Sequence, residues 1–312
     1  MKIVKYSEVY SKDWDEFLKI AKNGHFLFSR KYMDYHSERF TDHSLLVFDD
    51  KDRLLAILPA NISGDTLYSH QGLTFGGFVI SVKVKAEIML NIFSLLIDYL
   101  KSIQVEKLIY KPIPSIYTEV SAQEDLYALF VCNAQLFRRD VSSSIDLSMP
   151  FKYSKGRKWT VNKAKKENIE LCRVTEYAEF WQLLSNVLAY QHEAKPVHSL
   201  SEIEYLQNCF PENIKLFVAK KNGEVIAGAV IYETELVAHT QYLANSDEGR
   251  DIGALDLLVD HLIKDVYKDK KYFDFGISTE DEGRSLNKGL IAQKDGFGAS
   301  AIVHDFYELE IK

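Results

Sequence analysis

The chain has 312 residues, 46% of them hydrophobic and 27% charged, with a formal net charge of -7. That composition excludes a disordered chain, and the acidic balance excludes nonspecific nucleic-acid binding by the surface as a whole. Cys132, Cys172 and Cys209 are scattered, with no CxxC pair or Cys/His cluster. A disulfide framework and a metal site are therefore not expected, and a reducing, cytoplasmic setting fits best.

In chain order, residues 1–14 lack the apolar core of a signal peptide. Trp14, Phe17, Leu18 and Ala21 then recur at helical spacing, and a second helical pattern runs from Ser29, a capping residue type, to Phe40. Leu45-Leu46-Val47, a polar turn over Asp49–Asp52, and Leu54-Leu55-Ala56 read as a β-hairpin. Tyr68–Gly77 is rich in glycine and aromatics. It either lines a cleft or makes a tight bend, and without a P-loop lysine it is no nucleotide cradle. A long amphipathic helix is expected from about Val84 to Lys101. Its most apolar run, Ile88 to Leu100, is too short to span a bilayer and contains Asp98. A short strand, Lys107–Tyr110, follows.

The series then repeats. Phe180, Trp181, Leu184 and Leu188 mark a helix, and Ser201 to Phe210 a second. Leu216-Phe217-Val218, a turn over Lys220–Gly223, and Val225-Ile226-Ala227 make another hairpin. After it come a strand at Val237–Tyr242, a helix from Ile252 to Lys268 and a strand at Tyr272–Phe275. The two hairpins are offset by 171 residues with no gap. The reading is an internal duplication: two tandem α/β (α+β) domains, residues 1–150 and 151–312, each with a mixed central sheet flanked by helices. The order helix, helix, hairpin, strand, helix, strand resembles the GNAT (acyl-CoA N-acyltransferase) plan.

Between the repeats, Pro150–Lys166 holds seven Lys or Arg and no acid. On a helix, Lys155, Lys158, Lys165 and Lys166 share one broad face with Asn162, while Thr160, Val161 and Ala164 lie opposite, suited to docking on the protein. Concentrated like charge calls for an anion, so Arg157, Lys158, Lys163 and Lys166 are candidates for binding a phosphate-bearing substrate. The alternative is a solvated helix whose charges face water.

Arg157-Lys-Trp-Thr-Val161-Asn-Lys163-Ala164-Lys-Lys166 is similar to a stretch in FemAB-like transferases, with one extra residue before Val161. Asp274-Phe275-Gly276, followed by Gly289 and then Lys294-Asp-Gly-Phe297-Gly298, resembles that family's later signature. The likeness is clearest over residues 150–300. It implies acyl transfer from a thioester or an aminoacyl ester to an amine. FemAB proteins proper use aminoacyl-tRNA and build peptidoglycan cross-bridges, often with a long helical arm for tRNA; this chain has no coiled-coil insertion.

Acyl transfer needs a neutral nucleophile, a proton route and a home for the oxyanion. The resemblance makes Lys294 the electrophilic candidate. His239, on a central strand, is the candidate proton relay, histidine being the residue type suited to that role near neutral pH, or else a structural histidine. Alternation puts His239 and Gln241 on one face of that strand, Thr240 and Tyr242 on the other. Asp274 is placed to orient an amine or to cap a turn. Tyr190, Gln191, His192 and His198, with Tyr242, are candidate acceptor-site residues. Arg250-Asp-Ile-Gly253-Ala254-Leu255 partly matches the GNAT pyrophosphate loop, which makes Arg250, Gly253 and Ala254 candidates for acyl-CoA, although Asp247, Glu248 and Asp251 stand nearby. The expected acceptor is a small molecule or a lipid- or nucleotide-linked envelope or polysaccharide precursor. The first half is expected to shape the acceptor site without doing chemistry. The alternatives are an aminoacyl-tRNA-dependent transferase to a cell-wall peptide and a silent phospho-glycan-binding module.

Overall fold

Both expected hairpins form, and for the expected reason. In the second, Asn222 and Gly223 take positive φ (53° and 88°), the paired left-handed geometry that a two-residue turn needs to match strand twist. In the first, the Asp49 carboxylate accepts hydrogen bonds from the backbone N–H groups of Lys51 and Arg53, closing the turn from within.

The computed structural model describes residues 1–192 and 194–312, the side chains of Gln191 and His192 excepted. The chain divides into two units. The first comprises residues 1–140, 280–285 and 303–312, and the second residues 141–279 and 286–302. This differs from the simple border at residue 150. One long strand runs through that region, and the last strand of the chain returns to the first unit.

In the first unit, β1 (Lys2–Lys5) precedes α1 (Ser11–Leu18) and α2 (Arg30–Tyr35) and pairs antiparallel with β2 (Leu45–Phe48), which pairs antiparallel with β3 (Leu54–Leu58). Ser29 caps α2 by accepting from the Tyr32 N–H, as its residue type suggests. Strand β4 (Thr66–Tyr68) pairs parallel with β5 (Lys107–Tyr110), across the long helix α3 (Ala86–Ser102). Helix α4 (Glu124–Val131) packs on α3. Phe78, Ile92, Phe93, Leu96 and Tyr110 are fully or almost fully buried in the resulting core. The Tyr68–Gly77 stretch is the tight-bend alternative: a Cβ on Gly76 would meet the Ser69 carbonyl oxygen at 1.9 Å, and Gly77 has φ 80° against the Tyr110 ring.

The 12-residue strand β6 (Gln135–Asp146) leads into the second unit. There follow α5 (Lys155–Ala164), β7 (Glu170–Val174), α6 (Ala178–His192), α7 (Leu200–Cys209), β8 (Ile214–Lys221), β9 (Glu224–Glu233) and β10 (Val237–Asn245). Next are α8 (Asp247–Ile252), α9 (Ala254–His261), β11 (Tyr272–Ile277) and α10 (Lys288–Asp295), and β12 (Ser300–Glu310) ends the series. The second unit's sheet runs β7-β8-β9-β10-β11-β6, antiparallel except for the parallel pair β10–β11. The capping serine of α7 is Ser199, not Ser201. Ser199 and Glu202 form a reciprocal capping box.

Alternation along β9 assigns the two faces of this sheet. Ala227, Ala229 and Ile231 pack with Ala254, Leu258 and Leu262 of the α9 side. Gly228 faces the other way, where a Cβ would lie 2.4 Å from the Phe180 ring of α6; glycine is what lets that helix approach. The helix expected over 252–268 is broken. Gly253, at φ 81°, ends α8 and starts α9, and a π-turn at Leu262–Val266 finishes it.

Candidate active site

Strands β10 and β11 pair over only three residue pairs, Val237–Tyr272, Ala238–Phe273 and His239–Asp274. Beyond that point their pairing stops. On its other edge β11 keeps its antiparallel bonding to β6, with an irregularity between Asp274 and Ile277. Two candidate residues thus sit at the last rung of a parallel ladder, where backbone groups beyond it turn away from one another.

At that rung His239 Nδ1 lies 2.6 Å from Asp274 Oδ2. Asp274 is fully buried, and Ser142 Oγ donates to its other oxygen, Oδ1, at 2.8 Å. A buried carboxylate needs such donors, because an unpaired one would cost several kcal/mol in lost hydration. With Asp274 accepting the Nδ1 proton, the imidazole is held with Nε2 as its free acceptor. The His239 side chain keeps 13% of its surface exposed. Gly276, at φ 74°, lies against the ring: a Cβ there would stand 3.2 Å from His239 Cε1.

Lys294 enters from α10. Its Nζ donates to the carbonyls of Gly276 (2.8 Å) and Ile277 (2.7 Å), immediately after Asp274 in the chain. Burial pushes the amine down to about 8, while the nearby carboxylates of Asp274 and Asp295 limit the fall. The signature segments meet here. Phe275 stacks on Phe297 at 5.6 Å, and the Arg157 guanidinium lies 4.4 Å from the Phe297 ring centre.

The α6-facing side holds a second polar group. The pairing of β9 and β10 shifts register so that Ile231 faces Thr240 and Val230 faces Tyr242, leaving Gln241 as an extra residue. This bulge overturns the simple alternation expected for the strand. His239 and Tyr242 share a face, not His239 and Gln241. Tyr242 Oη is 2.7 Å from His198 Nδ1, and Trp181 Nε1 donates to the His198 carbonyl at 3.2 Å. Burial pushes the Tyr242 phenol up to about 12, so it stays a neutral hydrogen-bonding group. His192 ends α6, and its side chain lies outside the described residues.

The basic helix divides its cations. Val161 and Ala164 are buried against Leu257, the inward face expected for them. Arg157 and Lys163, proposed from sequence as phosphate ligands, turn toward the protein. Arg157 pairs with Asp256 and donates to the Gln293 carbonyl at 3.1 Å; Lys163 donates to the Asp251 carbonyl at 2.6 Å. Lys158 and Lys166 face solvent.

The candidate pyrophosphate loop does not form an open cradle. Arg250 pairs with Asp247, and Ala254 is fully buried. A Cβ on Gly253 would lie 2.6 Å from Thr160 Cγ2, so α5 is packed against the start of α9. Asp247, Glu248 and Asp251 are exposed on α8 beside it. A doubly charged pyrophosphate at that helix end would meet both the packing of α5 and this negative charge.

Ser142 was not picked out from sequence. It lies in a strand that reads as the end of the first half, and its signal was a run of three serines, Ser142-Ser143-Ser144, inside an otherwise strand-like segment, all three buried. Two of the three hydroxyls find partners, Ser142 on Asp274 and Ser144 on the Phe273 carbonyl at 3.3 Å, as most buried polar groups do.

Residues 162–283 match the acetyltransferase (GNAT) domain family. That match spans 122 of the 312 residues, all but the last few of them in the second unit. Whole-chain similarity to solved structures carries the tandem GNAT fold across both units. FemX aligns at TM-score 0.70 and 12% identity, covering 99% of this chain and 97% of that one. L-PGS from Bacillus licheniformis aligns at 0.63 and 13%, covering 96% and 92%. A tandem GNAT protein from the clavulanic acid biosynthesis pathway aligns at 0.56 and 11%, covering 100% and 98%. No curated protein matches the chain in sequence. Among the described residues, no helix is long and apolar enough to cross a membrane.

Proposed function

We propose that the protein is an N-acyltransferase whose proton relay is the His239–Asp274 pair, with Ser142 and Lys294 fixing that pair and its surroundings. The carrying observation is the 2.6 Å contact between His239 Nδ1 and Asp274 Oδ2 at the rung where β10 and β11 part. The incoming amine attacks the carbonyl carbon of an activated acyl group. His239 Nε2 takes the amine proton as the C–N bond forms, and Asp274 stabilises the imidazolium. The Lys294 ammonium, with one N–H beyond the two bound to backbone carbonyls, offers charge to the developing oxyanion. On collapse, the bond from carbon to the leaving sulfur or oxygen breaks, and His239 returns the proton to that atom.

The donor is a thioester or an aminoacyl ester, and the acceptor an amine on a phosphorylated envelope or polysaccharide precursor. The packed, acid-flanked start of α9 favours a donor whose phosphates are not held there, and so gives weight to the aminoacyl-ester reading over acyl-CoA. Incubation with acetyl-CoA and with aminoacylated RNA minihelices, each beside amino-sugar and peptide acceptors, tests this by product mass. Turnover with either donor that disappears in His239→Ala supports the proposal. Turnover with neither, or a His239→Ala variant as active as the parent, sinks it.

A further inference from the structure

We propose that the outward face of α5 docks on the anionic surface of a lipid bilayer. Trp159 carries the argument. It is 66% exposed, whereas Trp14 and Trp181 are 0% and 5% exposed. At 100° per residue, Lys155, Asn162, Lys163 and Lys166 fall within about 60° of Trp159 around the helix axis. Val161, Ala164 and Arg157, on the opposite side, are the residues that anchor α5 to the protein. The indole therefore stands at the crest of the helix with cations on its flanks.

Charge complementarity names the occupant. No acid occurs from residue 147 to residue 166, in a protein whose net charge is -7. Lys155, Lys158 and Lys166 are exposed and have no carboxylate partner among the described residues, while Lys165 is tied to Asp260 at 3.3 Å. Met149, 61% exposed, belongs to the same acid-free stretch. Asp247, Glu248 and Asp251 lie exposed on α8, which α5 meets through Thr160 and through Lys163, whose ammonium bonds the Asp251 carbonyl; Lys155, Lys158 and Lys166 are left without such a tie. Cations that reach lipid phosphates, around an amphipathic indole that settles at headgroup depth, are what a peripheral membrane contact requires.

A polynucleotide fits less well. A helix of ten residues is about 15 Å long and meets only a few phosphates of one strand. A bilayer needs no extended track, and its interface takes an amphipathic indole at headgroup depth. The contact bears on function through α10. Arg157 bonds the Gln293 carbonyl, and the Ser154 N–H bonds the Gly296 carbonyl at 2.9 Å, on either side of Lys294. A docked α5 holds the Lys294 segment close to the lipid surface, where a lipid-linked acceptor would be presented. The docking itself does not depend on the catalytic proposal.

The test uses the full chain and sedimentation with phosphatidylcholine vesicles, with and without phosphatidylglycerol. Binding is expected only with the anionic lipid, is weakened by salt, and falls about fivefold for each of Lys155, Lys158 and Lys166 changed to Ala. With both other tryptophans buried, Trp159 reports directly: its emission shifts to the blue on binding and is quenched by brominated acyl chains. These exposed substitutions leave the circular dichroism unchanged, which separates loss of docking from loss of fold. Equal binding to neutral vesicles, binding indifferent to the triple substitution, or binding to a single-stranded RNA oligonucleotide but to no vesicle would each overturn the proposal.

Discussion

Each unit builds a parallel strand pair in the same place, and the two pairs carry different groups. In the first, Tyr68 pairs with Ile109; in the second, His239, 171 residues further on, pairs with Asp274. A buried lysine follows each pair. Lys111 Nζ bonds the Leu73 carbonyl, and burial together with Arg138 pushes its amine down to about 7. Lys294 bonds two carbonyls, and Asp274 offsets part of the burial, leaving it at about 8. The GNAT frame thus supplies a position, and the side chains placed there supply the chemistry. A lysine with a carboxylate beside it keeps more of its charge near neutral pH than one whose charged neighbour is an arginine.

The sharpest way to break the comparison is to exchange its chemistry. His239→Ala is expected to lower turnover by about 10²–10⁴-fold, and Asp274→Asn also lowers it strongly, by disturbing the imidazole tautomer. Tyr68→Phe in the first unit is expected to leave turnover within about threefold, far less than the loss of a general base. Comparable losses in both units would mean that the first also takes part in chemistry. These are rate measurements at saturating substrate.

Lys294 gives a test whose two readouts move in opposite directions. Its folded pKa is depressed from 10.5 to about 8. The ammonium is therefore lost as pH rises through about 8, and activity that depends on it is expected to fall there. Between about 8 and 10.5 the unfolded chain holds the proton that the folded chain has released, so this group's contribution to stability rises with pH. Lys294→Met should remove both trends and lower turnover by about 10²–10³-fold, the usual effect of losing one oxyanion donor. A parent profile flat from about pH 7 to about pH 9 (about 1 unit either side of the shifted value) would exclude the role.

A smaller effect separates conformational strain from packing. Gly64 in the first unit and Gly253 in the second both have positive φ, at 60° and 81°. A Cβ meets nothing within 4 Å at Gly64, but at Gly253 it approaches Thr160 to 2.6 Å. Gly64→Ala is expected to cost about 1 kcal/mol, from strain alone. Gly253→Ala is expected to cost about 2–3 kcal/mol, because α5 must also shift. Equal midpoints in urea unfolding would show that α5 yields freely at the start of α9.

The sequence by itself determined the duplication, the hairpins, the inward face of α5 and three residues of the candidate site, His239, Asp274 and, through the family resemblance, Lys294. Each rests on a local rule: period-two alternation, turn chemistry, helical spacing, or a short motif with a chemical reading. Only the tertiary structure decided the rest. A one-residue bulge at Gln241 turned Tyr242 onto the face of His239, and no local pattern marks an extra residue in a strand. The unit border moved because β6 and β12 each run from one unit into the other, which is a matter of long-range pairing. The cations of α5 look alike in sequence, yet Arg157 and Lys163 found partners on Asp256, Gln293 and Asp251 while Lys158 and Lys166 stayed in solvent. Ser142 joined Asp274 across 132 residues of chain. Charge and polarity are written in the sequence, but their partners are chosen by the fold, because a buried charge settles wherever packing brings a donor or an opposite charge within reach.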